Sequence, residues 1–253
     1  MSWRRRRQFS IILTVALVLA LVGGVWYFLV KPEPSCFDGK KNQDEVGVDC
    51  GGPCSKVCLT ETSPLSILWA RAFEISPGSY SAVAYVENGN RRFGLPELPY
   101  EFILVDANGA ELARVSGRTF ANPQERFVVF HGNITAPAGR SARTFIEFPA
   151  DLIWQRLEPQ SPVLSVRKKS FATEPAPQLV AEAVNPAVAP ISGIQVPVVL
   201  SDKEGNAISA SATYINSIAS GATVELYFTW PLSLAAPPVF FDFYPHENFF
   251  NVR

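Results

Sequence analysis

The second half of this sequence repeats the first. Ser63–Phe73 aligns without gaps on Ser161–Phe171, at an offset of 98 residues. Val86 and Asn88 then match Val184 and Asn185, one residue being lost between them. Tyr100, Phe102, Leu104, Asp106 and Gly109 match Val196, Val198, Leu200, Asp202 and Gly205, and Phe145–Phe148 matches Phe240–Phe243. The offset drifts from 98 to 95, as small loop deletions would make it do. Matches that keep their order along the chain mark a duplicated supersecondary unit. The repeat therefore predicts two copies of one domain, at 62–159 and 160–253.

Within a copy the pattern is that of strands. Tyr100, Phe102 and Leu104 are spaced two apart and share one face of a strand, as do Val196, Val198 and Leu200. Asp106–Gly109 and Asp202–Gly205 then turn the chain, with glycine where a tight hairpin needs a positive φ. Leu112 and Ile208 resume the buried face on the return. Short runs broken by Gly, Pro and Asn, about seven to a copy, predict an immunoglobulin-like sandwich. Neither copy contains cysteine, so each core must hold by packing.

Ahead of the repeat lies a segment of another kind. Phe9–Val30 carries no charge and is apolar except at Ser10, Thr14, Gly23 and Gly24. As a helix it spans about 33 Å, against about 30 Å of bilayer hydrocarbon. Arg4, Arg5, Arg6 and Arg7 precede it, which holds the N-terminus in the cytoplasm and sends the remainder across. Trp26 and Tyr27 suit the far interface. A cleaved signal peptide is the rival reading, but the apolar run exceeds the usual length and ends without a small-residue cleavage site. Residues 1–31 hold five of the 22 basic residues and none of the 23 acidic ones. The exported part is thus mildly acidic, which favours solubility and gives no footprint for nucleic acid.

All four cysteines, Cys36, Cys50, Cys54 and Cys58, fall within 23 residues. Exported to an oxidising compartment, they predict two disulfides in a knot at 31–61, with three pairings open. A stretch this short cannot bury a useful core, so covalent closure must replace one. Four thiolates could also hold zinc, but paired C-x-x-C knuckles are missing. Asp38, Asn42, Asp44, Glu45 and Asp49 offer oxygen ligands for calcium, although Lys40 and Gln43 break an EF-hand pattern.

The string C-x-D-G-x-x-N-x-x-E-x-G-x-D-C-G-G-x-C, carried here by Cys36, Asp38, Gly39, Asn42, Glu45, Asp49, Cys50, Gly51, Gly52 and Cys54, resembles a small cysteine-rich module of bacterial secreted and surface proteins. The resemblance implies an extracellular setting and no enzymatic activity. The second copy resembles FxLYD-type and related immunoglobulin-like domains of envelope proteins. Val184-Asn185, the aliphatic strand Val196–Leu200 and the hairpin Asp202–Gly205 carry that likeness, with Val199–Asp202 where the family's aromatic would stand. It implies the fold.

Catalytic constellations are hard to assemble from this chain. It has two histidines, His131 and His246, and no G-x-S-x-G, H-E-x-x-H or phosphate-binding glycine loop. The aromatic run Phe240–Tyr244 with Phe249 and Phe250 is the strongest interaction candidate. One face fills the core, and Phe241, Phe249 and Phe250 are then available to a partner. Packing of these rings into the core is the competing expectation. Asn133-Ile-Thr135 is a glycosylation sequon, more plainly read as a turn after Gly132.

The expected architecture is all-β. Two tandem immunoglobulin-like β-sandwiches stand behind a basic stub at 1–8, a transmembrane helix at 9–30 and a disulfide knot. The expected role is a non-catalytic, single-pass plasma-membrane protein with its C-terminal region outside, binding the bilayer through 9–30 and a protein partner beyond it. A solute- or calcium-sensing ectodomain is one alternative, and an exported hydrolase using His131 or His246 is another. No cofactor other than calcium is implied.

Overall fold

A computed structural model describes residues 3–30, 35–54, 56–138, 143–158, 160 and 163–250. Residues 1–2 of the expected stub and 31–34 of the expected knot lie outside them. The chain divides into two compact units, Met1–Cys54 and Ser55–Arg253.

The first unit opens with helix α1, Trp3–Val30. Ile11, Leu13, Leu17, Leu21 and Val25 are each more than half exposed, so apolar side chains face outward on every side of the helix. Among the described residues no helix is long and apolar enough to cross a membrane.

The second unit is made of strands. They are β1 Ser66–Ser76, β2 Ser79–Asn88, β3 Phe93–Val105, β4 Glu111–Ala121, β5 Glu125–Thr135, β6 Arg143–Glu147, β7 Gln155–Arg156, β8 Ser165–Ala172, β9 Gln178–Val184, β10 Ile191–Ser201, β11 Ala207–Ile218, β12 Thr223–Thr229 and β13 Phe240–Phe243. Four sheets result, in the orders β1-β2-β5, β4-β3-β6 with β7 beside β3, β12-β9-β8, and β11-β10-β13. The fold is therefore all-β over this unit.

Two pairs of turns at the matched sequence positions have the same local geometry. Asp106 Oδ1 accepts the amides of Asn108 and Ala110, both at 2.8 Å. Asp202 Oδ1 accepts those of Glu204 and Asn206, at 3.0 and 2.8 Å. Gly109 and Gly205 follow with φ of 87° and 81°, a conformation that strains any residue with a Cβ. Asn88 and Asn185 are both fully buried. Asn88 donates to the carbonyls of Phe93 and Asn122, and Asn185 to those of Ala189 and Ile218. Each also accepts the amide two residues on, from Asn90 and Ala187. A side-chain amide does in both halves what a strand partner cannot do at a chain reversal.

Three apolar layers separate the four sheets. Ala82, Ala84 and Val86 of β2 with Phe127 and Val129 of β5 meet Phe102 and Leu104 of β3 in the first. Leu179 and Ala181 of β9 with Phe228 of β12 meet Val196, Val198 and Leu200 of β10 in the second. Between them, Val83 and Val128, from the other faces of β2 and β5, pack with Val199 and Ala210 of β10 and β11. The two inner sheets are thus covered on both faces, which is why β2, β5 and β10 read as continuous apolar runs. All four sheets consequently pack into one compact unit.

The outer sheets end the stack differently. Arg114 contacts Glu101 and Glu111 at 2.8 and 2.9 Å across β3 and β4. Arg167 and Lys169 of β8 pair with Glu182 of β9, and Lys169 also with Glu225 of β12. Hydrogen bonds to Glu111 and Glu101 raise the Arg114 pKa, and the bond to Glu225 raises that of Lys169. Half-solvated charge ladders add little stability but oppose burial of these faces against a further sheet.

Candidate functional site

In the knot, Cys36 is bonded to Cys54. Cys50 and Cys58 are also disulfide-bonded, and no described cysteine is free. Cys36, Glu45 and Cys54 approach one another within 4.8 Å. Their two sulfurs are spent on each other, so this trio cannot supply the thiolates zinc would need. Glu45 Oε1 lies 3.1 Å from Cys54 Sγ, a packing contact because a disulfide sulfur has no proton to donate.

Asp38, Glu45 and Asp49, three of the four acids that could serve calcium, accept local backbone amides. Asp38 accepts the amides of Ser35 and Lys40 and the side-chain amide of Asn42. The Asn42 bond is the largest influence lowering the Asp38 pKa. Both oxygens of Asp49 accept the Gly39 amide. Buried Glu45 accepts the amides of Asn42 and Asp49 through Oε2. Gly52, at φ 57°, has its missing Cβ directed at the Asp44 carbonyl, so only glycine fits there. Asn42 Oδ1 is buried without a hydrogen-bond partner.

The histidines stand in different surroundings. His131 Nδ1 lies 3.2 Å from the Tyr100 hydroxyl, with the rings edge to face. Partial burial lowers the His131 pKa and raises that of Tyr100. Gly117 makes the Tyr100 pose available, because a Cβ there would overlap the phenol ring. His246 is almost fully buried and stacks on Phe120 and Phe127, with centroids 3.8 and 5.0 Å away. Its Nε2 is 3.4 Å from Glu125 without hydrogen-bond geometry. A tyrosine beside one and a glutamate beside the other do not compose a nucleophile–base pair.

The terminal aromatics depart from the expected partner patch. Phe249 is only 6% exposed. Its amide donates to Asn122 Oδ1, while Asn122 Nδ2 donates to the Glu247 carbonyl. Glu247 Oε1 in turn accepts the amides of Val163 and Leu164. The segment 246–250 is thus laced to the β4–β5 turn and to the start of the second copy. Phe250 rests on Gly94, whose missing Cβ would collide with its ring. Phe241 packs on the second-copy core beside Phe171, with the Lys168 ammonium 3.9 Å from its ring centroid. Phe249 is thus buried, while Phe241 and Phe250 pack on their neighbours and stay partly exposed. Asn122 and Glu247 were missed in the sequence, since polar side chains that tie distant segments leave no periodic trace.

Replacing Phe249 and Phe250 with serine is accordingly expected to lower the melting temperature by on the order of 10 °C. A thermal melt within 2 °C of the parent would restore the free-patch reading.

No family model matches the sequence, and no curated protein matches it. Among solved structures, the crystal structure of red sea bream transglutaminase aligns with 73% of this chain and 29% of that one, at 14% identity and a TM-score of 0.23. The chain thus spans under a third of that protein's length, and a likeness this low carries no argument.

Proposed function

We propose that this chain is a non-catalytic, single-pass membrane protein that holds two tandem immunoglobulin-like sandwiches outside the cytoplasm for protein interaction or envelope organisation. The observation that carries the reading is α1. Its apolar side chains are exposed all round and its uncharged segment is preceded by four arginines, a combination a bilayer satisfies and water does not. The bonded cysteines support export, because thiols in a reducing cytosol stay free. The matched Asp hairpins and buried Asn turns support two copies of one domain. The charged outer sheets leave loops and sheet edges as the surfaces offered to a partner.

Topology reporters test this on the full chain. Alkaline phosphatase fused after residue 253 is expected to be active, and green fluorescent protein at the same place dark, with both fusions retained in the membrane after carbonate extraction. A fluorescent, carbonate-released fusion would overturn the anchor.

A further inference from the structure

Phe120, Val163, Ile191, Tyr214, Glu247 and Phe249 line a cavity of about 550 Å³ where the C-terminal segment crosses between the two copies. That volume falls in the range of small-ligand sites, and its walls mix aliphatic and aromatic side chains with the polar Gln160, Ser192 and Asn248. Its charge is one-sided. Glu247 is the single charged side chain among the described lining residues, and it is 6% exposed. Burial raises the Glu247 pKa and the nearby Glu125 charge adds to the effect, while the amides of Leu164 and Val163 oppose it.

A buried carboxylate is ordinarily matched by a cation, and here two backbone amides supply the neutralisation instead. The one basic group near it, His246, stacks on Phe120 and directs Nε2 toward Glu125. An anionic ligand would meet Glu247 head-on. A wholly apolar one would desolvate it further with no compensation. An ammonium group removes the deficit, and aromatic walls favour the same charge sign.

We infer that this cavity receives a primary alkylammonium group, of the kind a partner's lysine side chain presents. The cation sits against Glu247 and the methylene stem against Phe120, Ile191 and Phe249. Tyr214, 59% exposed, forms the rim. The inference names a chemistry for the interaction proposed above but does not depend on the anchor, so failure of either leaves the other standing.

Saturation-transfer NMR on the full chain in micelles tests it, with N-acetyl-lysine methylamide and N-acetyl-norleucine methylamide as probes. The lysine compound is expected to saturate, and the uncharged one to bind at least about tenfold more weakly. Tyr214→Ala, which removes an exposed ring, and Glu247→Gln, whose carbonyl still accepts both amides, should each weaken lysine binding by about tenfold, with Tyr214→Ala melting like the parent. Equal binding of the two probes, absence of saturation, or unchanged affinity in both variants would overturn the assignment.

Discussion

Val83→Glu is expected to break the β-rich unit at its middle layer. Val83 is fully buried on the face of β2 that the sheet turns away from its own sandwich, against Val128, Val199 and Ala210. A glutamate there loses about 2 kcal/mol of apolar burial. It also places a carboxylate among valines and alanines, at a cost of about 3–5 kcal/mol if it stays charged. The total rivals the whole stability of an ordinary domain, about 5–15 kcal/mol. Separation of the two sheet pairs is the escape, because each retains its own core. Trp154 and Trp230 belong to the two separate cores and report on them individually once the other four of the five tryptophans are replaced by phenylalanine in parent and variant alike. The parent should then show one urea transition by both reporters, and Val83→Glu two transitions at lower urea. A single transition at the parent midpoint would show that the middle layer contributes nothing.

Asn88→Ala should be nearly as damaging, for a different reason. Asn88 Nδ2 donates at 2.9 Å to Phe93 and 2.8 Å to Asn122, and Oδ1 accepts from the Asn90 amide at 3.1 Å. Alanine leaves two carbonyls and an amide without partners, at about 1–3 kcal/mol for each that stays dry. A loss on the order of 4 kcal/mol follows. The damage spreads, because Asn122 also holds Phe249 and Glu247 through its side chain. Asn185→Ala removes the equivalent bonds in the second copy and should cost a similar amount. Chemical denaturation of the two variants measures both. An Asn88→Ala variant within 1 kcal/mol of the parent would mean that water replaces the side chain.

These two residues differ in how far the sequence exposed them. Asn88 and Asn185 were found as paired marks of the repeat, as were Asp106 and Asp202, because a turn imposes its demands on the few residues that form it. Alternation placed Phe102, Leu104, Val198 and Leu200 on core faces for the same local reason. The signal for the middle layer was also present, in the unbroken runs Ala82-Val83-Ala84 and Phe127–Phe130. Such runs announce a strand buried on both faces without naming what covers it. For the terminal phenylalanines the sequence left packing and a partner patch both open, because the final strand had used its alternation and nothing nearby in sequence foretold Gly94 or Asn122 as their seats.

Sequence alone determined the elements whose causes are local: the helix with its uncharged segment Phe9–Val30, the clustered cysteines, the strands and the matched hairpins. Tertiary structure alone decided which sheets face each other, that Glu247 would be buried with two amides and no cation, and that a cavity would open beside it. Strand and turn preferences act over a few residues. Coverage of a second sheet face, and the charge balance of a buried carboxylate, depend on groups eighty or more positions apart, as the Val163 amide and the Glu247 carboxylate are.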